Sequence, residues 1–300
     1  MRKEERLLMK KKRTQYTKYR EKLERLLKVC DMGYFSFIED DVFNEYGNYF
    51  LKTIKKEDTF KLYRYMPLYR NIEEDDAIKS VFSLDLENLY LSENGSLNDI
   101  FEGLPYSDDY DTYAQDECVE KLINLAYIKC FSETYKNNLM WAHYANSHKG
   151  ICIEYDICKL TDKNLIKQFF PVHYLKRREM FASVEALMEH AEGNAELEAL
   201  RDAKGIFLSK SDVWKYEKEW RICHMNHELN KDKFKKIPFD CISAIYMGIR
   251  IEGKDIEKVK ENLNNYNNKQ VRNIIDRIKL YKMKMPSDNS YNLTSEEVYY

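Results

Sequence analysis

Apolar positions along the chain alternate between a helical and a strand period. In the first stretch, to about Met32, Leu23, Leu26 and Leu27 form a partial stripe in a run rich in Lys, Arg and Glu, which predicts a helix. A second helix is predicted near residues 40–56. From Phe60 the period shortens. Lys61–Met66 reads as a strand ended by Pro67, and residues 88–92 as a second strand followed by a loop through Tyr106. A helix near residues 112–125 leads into a third strand, Ala126–Ser132. A short helix over residues 138–144 follows, then strands at 150–156 and 169–175. A long helix is predicted over about 180–208, a charged strand over 214–222, and a strongly apolar strand at 241–248. Two helices, 254–263 and 269–280, close the pattern, and the polar stretch from Met285 reads as disordered.

Interleaved strands and helices predict an α+β fold, a split mixed sheet with flanking helices. The expected organisation is a helical N-terminal extension (1–58), an α+β catalytic-like domain (59–282) and a polar tail (283–300).

Composition changes this picture little. A chain of 300 residues with 44% hydrophobic content has ample material for a core. Lys+Arg 49 against Asp+Glu 51 gives no global pull toward nucleic acid or an anionic membrane. The basic run Lys10-Lys11-Lys12-Arg13 has acidic neighbours, so it reads as a solvated helix face. The charged start, Met1 to Arg6, is followed by no apolar core of signal-peptide length, and no run suits a membrane span. The seven cysteines include no CxxC pair, and several sit in apolar runs such as Ile151-Cys152-Ile153. They read as small buried residues of a reducing compartment, so a cytoplasmic protein is expected.

The candidate chemistry starts from the charged strand. Read with period 2, Trp214–Ile222 places Glu217, Glu219 and Arg221 on one face. Two carboxylates and a guanidinium so close are costly when shielded from water, and proteins tend to keep such clusters where chemistry needs them. An exposed strand edge with solvated charges is the alternative.

Four ordered motifs carry a resemblance: Cys130-Phe131-Ser132-Glu133, Met140-Trp141-Ala142-His143-Tyr144-Ala145, His148-Lys149-Gly150-Ile151-Cys152-Ile153-Glu154-Tyr155, and Trp214-Lys215-Tyr216-Glu217-Lys218-Glu219-Trp220-Arg221. Together with Tyr63-Arg64-Tyr65 and Asn88–Ser92 they resemble the bacterial family catalogued as domain of unknown function 2971. One departure is visible. The family's Asn-Asp-Pro-Phe turn is Asn98-Asp99-Ile100-Phe101 here, without the proline.

The motif order is in turn similar to that of Arg–Ser–Glu mono-ADP-ribosyltransferases: an arginine on an early strand, a serine on a middle strand, then Glu-x-Glu. That likeness implies an ADP-ribosyltransferase-like fold, with NAD consumed as substrate and a macromolecular acceptor, protein or nucleic acid. A toxin or antiphage effector would act in this way. It implies Glu219 as the carboxylate stabilising an oxocarbenium-like ribose and Glu217 as the residue engaging the acceptor. Arg64 is implied for the diphosphate and Ser132 for a hydroxyl hydrogen bond. Tyr65 or Tyr144 would stack on nicotinamide, and His143, His148 and Arg221 complete the NAD-binding set.

Other readings stay open. The same scaffold suits a non-catalytic binding or regulatory protein whose charged strand is an ion-pair network, and a nucleic-acid-acting enzyme is a third reading. His143 and His148 are five apart, not the i, i+4 spacing of a helical zinc pair, so no metal is expected. No GxGxxG loop is present for a Rossmann NAD site.

Overall fold

The computed structural model describes residues 15–27, 41–68, 88–90, 92–93, 98–102, 126–177, 205, 207–225, 234–236, 239–264 and 277–299. In chain order these form helix α1 (residues 15–27), α2 (Asp41–Ile54), β1 (Lys61–Met66), β2 (Asn88–Tyr90), β3 (Ser92–Glu93), β4 (Ala126–Ser132), α3 (Asn138–Tyr144), β5 (Ile151–Asp156), α4 (Lys163–Ile166), β6 (Phe169–Pro171), β7 (His173–Leu175) and β8 (Ser209–Ser211). They continue with β9 (Glu219–Met225), β10 (Phe234–Lys236), β11 (Ile242–Met247), α5 (Gly253–Asn264), β12 (Lys279–Lys284) and β13 (Thr294–Val298). The fold is α+β with a large mixed sheet. The expected helices at 112–125, at most of 180–208 and at most of 269–280 lie outside the described residues.

Contacts divide the chain into two units. The first holds residues 1–53, 91–129 and 163–233, and the second holds 54–90, 130–162 and 234–300.

In the first unit β6 pairs antiparallel with β9, and β7 pairs parallel with β8. Helices α1 and α2, read from sequence as an extension, supply this unit's aromatic core. Tyr19 and Phe50 lie 6.0 and 5.5 Å from the fully buried ring of Trp220, and Tyr46 lies 5.3 Å from Phe170. The polar side of α1 is also used. Arg20 donates to the carbonyls of Val172 (2.8 Å) and Glu219 (3.0 Å), fastening the start of β9.

In the second unit the sheet runs β13-β12-β11-β5-β1 and on to the C-terminal end of β4. It is mixed because β11 and β12 are parallel while β1–β4, β1–β5, β5–β11 and β12–β13 are antiparallel. β5 is buried along its whole length, as expected for a central strand with both faces covered. The last two strands correct the sequence reading. Lys279 and Leu280, expected to end a helix, begin β12. The stretch after Met285, expected to be disordered, returns as β13, with Leu280 opposite Val298 and Lys284 opposite Thr294. The alternating run Lys-Leu-Tyr-Lys-Met-Lys is a strand signal that the helix-forming residues before it obscure.

Candidate functional site: a buried carboxylate cluster

The charged segment does not form one strand. Asp212–Glu217 winds as a 3-10 turn, Lys218 takes the left-handed conformation (φ 48°), and β9 begins only at Glu219. Glu217 and Glu219 are nonetheless brought together, by the reversal at Lys218 and not by strand alternation. The cost of a left-handed lysine, about 1–2 kcal/mol, falls between the two carboxylates.

Both acids are buried, with Glu217 at 1%, Glu219 at 3% and Arg221 at 0% exposure. Their charges are met inside the first unit. Arg221 donates from Nε to Glu219 Oε1 (2.7 Å), from Nη2 to Glu219 Oε2 (3.0 Å) and from Nη1 to the Phe207 carbonyl (2.6 Å). Arg221 Nη2 also pairs with Glu102. From β8, Lys210 Nζ reaches Glu217 (2.7 Å), Glu102 (2.9 Å) and Glu219 (3.2 Å) and lies 4.9 Å from the centre of the Trp214 ring. The Glu219 amide donates to the Tyr174 hydroxyl (2.8 Å).

Among the described residues, three carboxylates therefore share two cations out of water. Burial works against the charge of Lys210, but Glu219, Glu102 and Glu217 outweigh it and raise the ammonium pKa well above the ordinary lysine range, despite the opposing charge of Arg221. Burial, then the charge of Glu219, likewise raises the Tyr174 hydroxyl. Lys210 and Glu102 were not legible as site residues. Lys210 stands in a Ser-Lys-Ser strand, and Glu102 ends the Asn98–Phe101 turn, where Asp99 Oδ1 accepts from the Phe101 amide (3.0 Å).

The other residues assigned from the motifs belong to the second unit. Tyr63 of β1 stands opposite both Ser132 and Glu154, so these three share one sheet face. Arg64, half-buried, follows Tyr63 and points to the other face, so β1 does not present Arg64 and Ser132 together. Ser132 is fully buried, and its Oγ accepts from the Thr134 amide (3.3 Å). Tyr65 is engaged in the core, its hydroxyl donating to the Thr134 carbonyl (2.8 Å) and its ring packed edge-on against Trp141 at 5.2 Å. His143 is exposed on the last turn of α3, which Asn137 caps through bonds from the Leu139 and Met140 amides, and Tyr144 is half-buried.

His148 sits in an unusual turn. Asn146, Ser147 and His148 have φ of 45°, 51° and 73°, three consecutive left-handed residues without a glycine among them. Each costs on the order of 1–3 kcal/mol, and such conformations persist where surrounding contacts over-determine them.

Sequence reasoning gave Glu154 no role, although it lies within one of the motifs. Its carboxylate, 4% exposed, accepts from Lys61 (2.5 Å), from Ser243 (2.6 Å) and from Tyr246 (3.1 Å). Ser243 is the extra residue of a bulge where the β5–β11 register shifts, which aims its hydroxyl inward. Burial alone would raise the Glu154 pKa. The bonds from Lys61 and Ser243 reverse the sign and hold it below the ordinary carboxylate range. Tyr135, Tyr246 and Tyr281 stack beside it, with ring centres 3.9 and 5.0 Å apart. Among the described residues no group of three or more His, Cys, Asp or Glu is arranged to hold a metal ion, and no helix is long and apolar enough to cross a membrane.

Residues 140–222 match the family described as Protein of unknown function (DUF2971), the family that the ordered motifs resemble. The matched segment contains α3 from Met140 on, the left-handed turn, β5 and the Glu217–Arg221 part of the cluster. No curated protein and no solved structure matches the chain.

Proposed function

We propose that this chain with its DUF2971 segment is an NAD-dependent mono-ADP-ribosyltransferase-like enzyme that modifies a macromolecule, protein or nucleic acid, in the manner of a toxin or antiphage effector. The observation that carries the reading is the Glu217–Glu219 pair, brought together out of water and fixed by Lys210 and Arg221. Breaking the nicotinamide–ribose bond sends the bonding electron pair out with nicotinamide and leaves positive charge on the ribose. A preoriented carboxylate with little water around it is suited to stabilise that charge. Glu219 takes this role, and Glu217 receives the proton of the acceptor nucleophile. The roles of Arg64, Ser132, His143 and His148 rest on motif order. Tyr65 or Tyr144 stacks on nicotinamide; the Tyr65 ring is packed against Trp141 and Tyr144 is half-buried.

One observation favours a second reading. The Glu219 side chain is 4% exposed, and both its oxygens already accept from Arg221 or Lys210. A cluster so closed suits a structural ion-pair network in a non-catalytic binding protein. Calorimetric titration of NAD into the full chain separates the two. The enzyme reading expects saturable binding, and Glu217→Gln should impair transfer to acceptor more than NAD hydrolysis. Absence of NAD binding, with Glu217→Gln lowering only stability, favours the scaffold.

A further inference from the structure

We propose that the left-handed turn Asn146–His148, together with Arg250, is a binding site for the phosphate group of a small phosphorylated ligand. The inference stands whether or not the chain consumes NAD.

The turn is held rigidly. The Ser147 amide donates to the Ala142 carbonyl (3.3 Å), His148 to Trp141 (3.1 Å), Lys149 to Asn146 (3.1 Å) and Gly150 to Ala145 (2.8 Å). The His148 carbonyl then accepts from the Arg250 amide at 3.0 Å. It lies so close to Gly248 that a Cβ there would stand 2.0 Å from it. Glycine at 248 is what lets the two segments meet, and their meeting sets His148 beside Arg250.

What is brought together is the Arg250 guanidinium and the His148 imidazole, with no carboxylate between them among the described residues. Two other cations of the fold sit on carboxylates, Lys61 on Glu154 and Lys210 on Glu219. Arg250 is exposed and has no carboxylate partner among the described residues. The nearby Glu252 pairs with Lys254 (3.1 Å), and Lys149, next to His148, is exposed. Left-handed strain that sets an imidazole beside a guanidinium is offset when an anion completes the site.

The imidazole is arranged to donate. Its Nδ1 is buried and has no hydrogen-bond partner. A proton there would be buried without an acceptor, so the neutral ring carries its proton on Nε2. Burial, then the charge of Arg250, holds the His148 pKa below the ordinary histidine range, so this neutral donor form persists at pH 7. A planar guanidinium that spans two oxygens and an N–H for a third suit the tetrahedral phosphate better than a flat carboxylate.

The test is titration of inorganic pyrophosphate, and separately ADP, into the full chain, followed by NMR of the His148 imidazole. At least one ligand is expected to shift the His148 resonances saturably and raise its apparent pKa, because a bound anion offsets the Arg250 charge. Arg250→Gln, an exposed change that leaves the core untouched, should weaken that binding roughly tenfold or more, the scale of a lost charge-assisted bond. If neither ligand moves His148 up to millimolar concentration, or if Arg250→Gln binds as tightly as wild type, the site is overturned. Nicotinamide release does not enter this readout, so its failure and that of the NAD reading are separable.

Discussion

Arg221 holds Glu219 from two residues along the same strand, Nε on one carboxylate oxygen at 2.7 Å and Nη2 on the other at 3.0 Å, with neither side chain open to water. Two-point contact of this kind needs the planar fork of arginine, which lysine lacks. Arg221→Lys is therefore expected to destabilise the chain although charge is kept. Arg221→Met, which leaves Glu219 and Glu102 short of a cation, should cost more, about 3–5 kcal/mol. Urea denaturation at pH 7 checks the order. Equal midpoints for wild type and Arg221→Lys would show that the fork geometry contributes nothing.

The raised pKa of Lys210 has a pH signature. Its folded-state pKa lies above the unfolded value, so its contribution is complete below about pH 10.4 and is lost as pH rises beyond it. Tyr46 and Tyr65, raised chiefly by burial, act in the same direction. Stability should begin to fall above about pH 8.5, where unfolded thiols ionise while burial keeps Cys152, Cys158 and Cys241 protonated, and fall more steeply above about pH 10. In Lys210→Met it should be lower at pH 7 and decline less steeply in alkali. Denaturant midpoints measured from pH 7 to 11 test this, and equal alkaline slopes for the two proteins would contradict it.

Glu154 gives the opposite sign. Its folded-state pKa lies below the unfolded value, so it contributes above the ordinary carboxylate range, and that contribution is lost as pH falls through the folded value. Glu154→Gln should destabilise at pH 7, by about 1–3 kcal/mol for the lost charge-assisted bonds. The difference from wild type should shrink once both proteins are below the acid transition. Melting curves at pH 7 and pH 3.5 decide it. A penalty that does not change with pH would mean that the Lys61 and Ser243 contacts do not depend on the charge.

Legibility in the sequence followed the physical origin of each feature. Strands Lys61–Met66 and Ala126–Ser132 and helix Asn138–Tyr144 fall where local pattern and propensity place them, because their signals lie within a few residues. The Glu217–Glu219 pairing was anticipated through the wrong geometry, since period 2 cannot show that Lys218 turns left-handed. Lys210 meets Glu219 from 9 positions away and Glu102 meets Arg221 from 119 positions away, and no local period encodes that. The polar composition of the last residues hid β13, which is held by pairing to β12 and not by its own apolar content.

The central claim, that Glu219 serves NAD chemistry, is tested most directly by nicotinamide release from NAD, with and without cell extract, comparing wild type and Glu219→Gln. The variant loses the negative charge proposed to stabilise the ribose. It also loses part of the Arg221 pairing, so a lowered melting temperature is expected and rates are compared per folded molecule. The account predicts release by wild type and a rate about 10²–10³ lower in Glu219→Gln. No binding or consumption of NAD by wild type, with Glu219→Gln changing only the melting temperature, would contradict it.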